Sequence, residues 1–174
     1  MSFPSDHGLQ LRQWRWPLPR WYNGFSPQER VRGWQAAWWL IDNGHIPHPD
    51  TCSITGKKGR EPGECLRAST NPAGRRGGGT AFAYHNENYY DPSELSPISP
   101  EAHRLLHRRF YDPKPWQALA EEHSRTGEEW FARLKPYPID MASELRERFG
   151  PGITDILKTA TARVAGAASS CDNV

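Results

Sequence analysis

Three histidines have a spacing that can do chemistry. His103 and His107 lie four residues apart in PEAHRLLHRRF, and His85 ends the segment TAFAYH. An i,i+4 pair projects from one face of a helix, so both imidazoles can reach a single ion, and a third from a strand folded onto that helix completes a three-nitrogen set. Three protein ligands with coordination positions left over describe a catalytic metal centre rather than a structural one. A divalent ion so held (Mg²⁺, Mn²⁺, Ni²⁺ or Zn²⁺) can polarise a phosphodiester and stabilise the leaving oxyanion. The competing reading is an ordinary helix whose Leu106 and Phe110 face a core, with one histidine packed and the other solvated. Basic side chains accompany the set: Arg104, Arg108 and Arg109 on the same helix, Arg75 and Arg76 in a glycine-rich loop. They can meet phosphates without reading bases, which gives sequence-independent, salt-sensitive binding; a solvated helix face is the alternative.

Placing these residues requires a hairpin and a helix. TAFAYH, residues 80–85, alternates as a strand does, NENYYDPSE turns the chain, and a short apolar piece at 95–98 returns it. Ser99 and Pro100 supply the N-cap and first position of a helix running to about Tyr111. Upstream, Ser26, Pro27 and Glu29 form a capping box before Val31, Trp34, Trp38 and Ile41, which recur at helical spacing until Asn43-Gly44 stops them. Downstream, helices are expected over 113–125, 127–135, 140–149 and 153–165, the second of these on the strength of Thr126 and Glu129 as a cap pair, with a frayed tail after them.

Composition bounds the rest. The chain has 174 residues with 22 Lys+Arg against 20 Asp+Glu, a net charge of +2 that argues against a dedicated nucleic-acid coat. Its length fits one domain, and 15 Gly with 16 Pro imply short elements and long loops. No apolar run is long enough to span a membrane and no secretory leader opens the chain, so a soluble, cytoplasmic protein is expected. Cys52, Cys65 and Cys171 are an odd, scattered set that fits a reducing compartment.

The stretch from Tyr84 to Phe110 resembles the HNH endonucleases of the ββα-metal type, in the subgroup where a zinc knuckle wraps the hairpin. TCSITG (51–56) is similar to the first half of the knuckle, HNENYY (85–90) to the His-His-x-x-Tyr strand end, and PISPEAHRLLHRRF (97–110) to the second half and the helix. The resemblance covers about a third of the chain. It implies that His85, His103 and His107 hold metal, that Asn86 stands where the family has the histidine that activates water, and that Asn86 or Asn88 orients the loop. It also implies a degenerate knuckle: Cys52 persists, while Thr55, Ser99 and Ala102 occupy the other three ligand positions. Cys52 itself reads as a small buried apolar residue.

The expected architecture is α+β and mostly helical: an aromatic, basic arm over 1–25, then a single domain over 26–174 with an HNH-like ββα module near 50–111 and a helical set over 112–166. Two classes of function follow. One is a metal-dependent nuclease acting on DNA; the other is a catalytically silent descendant that binds nucleic acid or serves as a protein-interaction subunit of a defence, mobile-element or phage assembly. In the arm, Trp14, Trp16 and Trp21 alternate with Arg12, Arg15 and Arg20. The preferred reading is that the indoles plug the domain's own core or a partner protein's groove, with stacking on unpaired bases as the alternative.

Overall fold

The computed structural model describes residues 8–59 and 82–171. Its elements are α1 (Pro27–Asp42), β1 (Ala83–His85), β2 (Ser96–Ile98), α2 (Pro100–Arg108), α3 (Lys114–His123), α4 (Met141–Phe149), a 3-10 turn (Pro151–Thr154) and α5 (Ile156–Cys171). Among the described residues, five helices and one two-stranded antiparallel sheet make the fold α+β and mostly helical. The described residues form two compact units, one from 8–48, 86–95 and 138–171, the other from 49–59, 82–85 and 96–137. These are not the arm and body read from the sequence: the turn at 86–95, inside the expected 50–111 module, belongs to the first unit.

In the first unit α1 begins as its sequence requires. The Glu29 amide donates to Ser26 Oγ at 3.2 Å while the Ser26 amide donates to the Glu29 carboxylate at 2.7 Å, a reciprocal capping box. The helix packs on α5. Phe25, Val31, Ala36, Ala37, Leu40, Tyr89, Tyr90, Ala142, Ile156, Leu157 and Ala160 are buried there. Gly33 lies where an added Cβ would come within 2.8 Å of the Tyr89 carbonyl, so the close approach of turn and helix needs a glycine.

The second unit is built on α2. Ser99 accepts from the Ala102 amide at 3.2 Å and Pro100 fills the first turn, so the helix starts where the cap residues place it. β1 and β2 pair with Ala83 opposite Ile98, Tyr84 opposite Pro97 and His85 opposite Ser96. Ile98, Ala102, Leu106, Trp116, Ala120, Phe131, Cys52 and Ile54 form one buried cluster under the hairpin.

The helix expected over 127–135 is a series of turns instead. Glu129 does meet Thr126, but its carboxylate also takes the Arg125 amide at 2.9 Å and the Ser124 hydroxyl at 3.0 Å, and Gly127 adopts φ +77°. The cap chemistry is spent closing a loop, and the left-handed glycine together with Pro136 leaves no room for a helix. α5 extends to Cys171, past the expected end at 165 and into the tail expected to fray, through an alanine-rich stretch of high helix propensity. Most of the Gly, Lys and Arg loop read over 55–80, including Arg75 and Arg76, lies outside the described residues.

Candidate metal centre

His85 is held at the end of β1, 2 % exposed, and His103 and His107 project from the same side of α2. The His85 ring lies 5.4 Å from each of the other two, and those two are 4.7 Å apart, centroid to centroid. One ring nitrogen from each residue falls within 4.8 Å of the others. Between His103 and His107 the two Nε2 atoms are 2.9 Å apart. A tetrahedral ion with bonds of about 2.1 Å needs its ligand atoms about 3.4 Å apart, so a shift of roughly half an ångström seats the pair. Burial, and after it the neighbouring His85, holds the His103 imidazole down at about 4, which makes it a neutral donor near neutral pH. The graded burial of the set, from buried His85 to exposed His107, leaves one side open to a ligand.

Trp130 completes the wall. Its indole lies nearly parallel to the His85 ring at 6.2 Å and 19°, and its Nε1–H is buried without an acceptor among the described residues. Sequence reasoning missed this residue. It sits 45 positions after His85, in a segment read as helix, and no local spacing marks it.

The other expected site residues divide. Asn86 is completely buried; its amide nitrogen reaches the Asp91 carbonyl at 3.4 Å and its Oδ1 has no donor among the described residues. Asn88 closes its own loop, donating to Glu94 at 3.0 Å and accepting the Tyr90 amide at 3.2 Å. Alternative bases near the strand end are occupied or unsuited. Glu87 accepts from the Tyr22 hydroxyl and the Asn23 side-chain amide, one on each oxygen, and burial, with Asp50 adding to it, raises Tyr84 so that the phenol keeps its proton.

Among the arginines, Arg104 is exposed on α2 with no ion-pair partner among the described residues, whereas Arg108 is paired with Asp112. Arg109 departs from expectation. It is 1 % exposed, donates to the Leu106 and Lys135 carbonyls at 2.9 Å and lies over the Phe110 ring, so it braces the interior and presents nothing to a phosphate.

The knuckle positions are assembled without a ligand set. Cys52 is 1 % exposed, as expected of a small apolar residue, in a turn closed by the Gly56 amide on its carbonyl at 2.9 Å. Burial alone would raise its thiol, but the Thr55 hydroxyl and the amides of Thr55, Ser99 and Ile54 outweigh it and the net direction is down. Ser99 caps α2 and Ala102 is buried in the core. One sulfur with two hydroxyls and a methyl is no structural zinc site.

Comparison of the chain with protein-family models, with curated proteins and with solved structures returned no match.

Proposed function

We propose that the chain is an HNH-like, metal-dependent nuclease acting on DNA phosphodiesters. The observation that carries this reading is the convergence of His85, His103 and His107 from a hairpin strand and the helix packed against it, with one side open. Three imidazoles suit Zn²⁺ or Ni²⁺ better than Mg²⁺, which prefers oxygen ligands. A bound ion supplies Lewis acidity to the phosphodiester and charge stabilisation to the departing oxygen. The chain's own residues do the rest: the histidines orient the ion, Trp130 fixes the His85 ring, Arg104 offers a guanidinium to a phosphate, and Asn88 sets the loop.

The weak point of the machinery is proton transfer. A carboxamide accepts no proton near neutral pH, so Asn86 at the base position limits the rate, and general-base catalysis is typically about 10²- to 10⁴-fold. That residue favours a second reading, a descendant that keeps the scaffold and binds nucleic acid without cutting it. Incubation with plasmid and single-stranded DNA in Mg²⁺, Mn²⁺, Ni²⁺ and Zn²⁺ in turn separates the two. The nuclease reading expects metal-dependent cleavage that vanishes in His107→Ala and rises in Asn86→His. No cleavage in any metal, with no gain in Asn86→His, rejects it and leaves the binding role.

A further inference from the structure

We infer that residues 11–21 form a preset binding strap for single-stranded polynucleotide, separate from the metal centre and not dependent on the chemistry proposed for it. The strap is LRQWRWPLPRW. It is pinned at both ends onto α1. At the first end Arg12 pairs with Asp42, its carbonyl accepts from Gln35 at 3.0 Å, and Trp14 stacks on Trp38 at 5.6 Å and 15°. At the second, Arg30 donates to the Arg20 carbonyl and the chain enters the Tyr22–Phe25 bridge. Trp16 leans on the same pair, 5.3 Å from Trp14 and 5.4 Å from Trp38, so the arm seats Trp14 and one side of Trp16 on α1 and leaves Trp21 clear of that cluster.

Between the pins most of the side-chain surface still faces solvent. Trp16 is 58 % exposed, Leu18 43 % and Trp21 69 %. Arg15 and Arg20 are exposed and have no ion-pair partner among the described residues. No acidic residue occurs between His7 and Glu29. The chain bends at Trp16, and Pro17 and Pro19 then fix φ at two positions of the run to Trp21, so little ordering entropy is lost when it is covered.

Charge decides the occupant. Tryptophan and arginine are both common at the centres of protein interfaces, but a protein groove has no need of a wholly cationic strap. A polyanion does, and guanidinium forks fit phosphate oxygens. The indoles then select for unpaired bases, whose faces are free to stack, over a duplex, whose faces are already covered. Stacking and phosphate contact are shared by DNA and RNA strands.

The test is fluorescence anisotropy of labelled dT12, rU12 and a 12-base-pair duplex with the full chain in EDTA, at several salt concentrations. Both single strands are expected to bind more tightly than the duplex. Trp16→Ala and Trp21→Ala should each weaken binding about 5- to 150-fold, with the phenylalanine variants recovering much of it. Arg15→Ala with Arg20→Ala, both on the surface, should flatten the salt slope by about 1.4, two phosphates at roughly 0.7 each. Binding of one strand type alone would narrow the ligand to DNA or RNA and still support the strap. Preference for the duplex, or full single-strand affinity in both alanine variants, would overturn the inference. So would the absence of salt-dependent binding, which leaves the strap to a protein groove. Because chelator is present throughout, neither result bears on whether the histidines hold metal.

Discussion

Two places in the second unit carry residues in the pattern of a metal site, and α2 serves both. Ser99 and Ala102 open the helix where the family resembled has knuckle ligands, and His103 and His107 follow one turn later. At the knuckle three of the four donors are missing. The Ser99 hydroxyl caps the helix, Ala102 fills the core, and Cys52 is held by hydrogen bonds from Thr55, Ser99 and Ile54. At the histidine centre all three donors are present and converge. On the function proposed above, the contrast separates two uses of a metal. A structural ion contributes free energy, which apolar burial and hydrogen bonds supply equally well; a catalytic ion contributes a charge at one point in space, which nothing in a protein core replaces.

If packing has taken over the knuckle's work, the largest effect on stability comes from the packing. Trp116 is 2 % exposed in the cluster that contains Cys52, Ile98, Ala102 and Leu106. Trp116→Ala is expected to cost about 3–5 kcal/mol in urea unfolding. Chelator, by contrast, should leave the unfolding midpoint of His107→Ala, as purified, unchanged. A large chelator effect that survives His107→Ala and is lost in Cys52→Ser would show that the knuckle still holds metal, and the comparison would collapse.

The next effect belongs to the histidines. An ion that binds only the folded chain stabilises it by about 2.7 kcal/mol at one hundred times its dissociation constant. Ni²⁺ or Zn²⁺ titrated against thermal unfolding should produce such a gain in the parent chain and in Cys52→Ser, and none in His103→Ala. Equal gains in all three proteins would place the ion elsewhere.

How much of this was legible in the sequence follows from how local each signal is. Ser26 with Glu29, and Ser99 with Pro100, act within one turn of chain, and both helix starts came out as read. The convergence of His85 on His103 and His107 was legible because a hairpin and a capped helix in immediate succession leave few ways to pack. Glu129 misled because a capping pair states only which amides it can satisfy, and Gly127 turned the same bonds into a loop. Arg109 misled because a guanidinium in a helix's last turn looks like surface until tertiary contacts supply carbonyl acceptors for it. Trp130 and the assignment of 86–95 to the first unit are long-range facts, and no residue pattern near them encodes either.

A smaller effect tests the cap at Ser99. Ser99 accepts the Ala102 amide, so Ser99→Ala should destabilise by about 1 kcal/mol, the ordinary loss for a removed N-cap, and Ser99→Asp should restore it. An alanine variant as stable as the parent would mean that the hydroxyl contributes nothing to the helix and that the knuckle position is simply vacant of function.

The smallest effect concerns the loop that replaced the expected helix, and it is read through pH. The Arg125 amide foremost, with the Glu129 and Thr126 amides and the Ser124 hydroxyl, holds the Glu129 carboxyl down at about 2 from an ordinary 4.5. The folded chain keeps this carboxylate ionised where the unfolded chain protonates it. Its contribution is therefore complete above about pH 4.5, declines as pH falls and is gone below about pH 2. The carboxylate lies at the solvent edge, where screening blunts each bond, so the effect stays below that of the Ser99 cap. Urea midpoints of the parent and Glu129→Gln, taken at pH 6 and again near pH 2.5, should differ at the first and approach one another at the second. A difference that is constant across that range would show that Glu129 acts through its shape and not its charge, and that Gly127 and Pro136 alone dictate the loop.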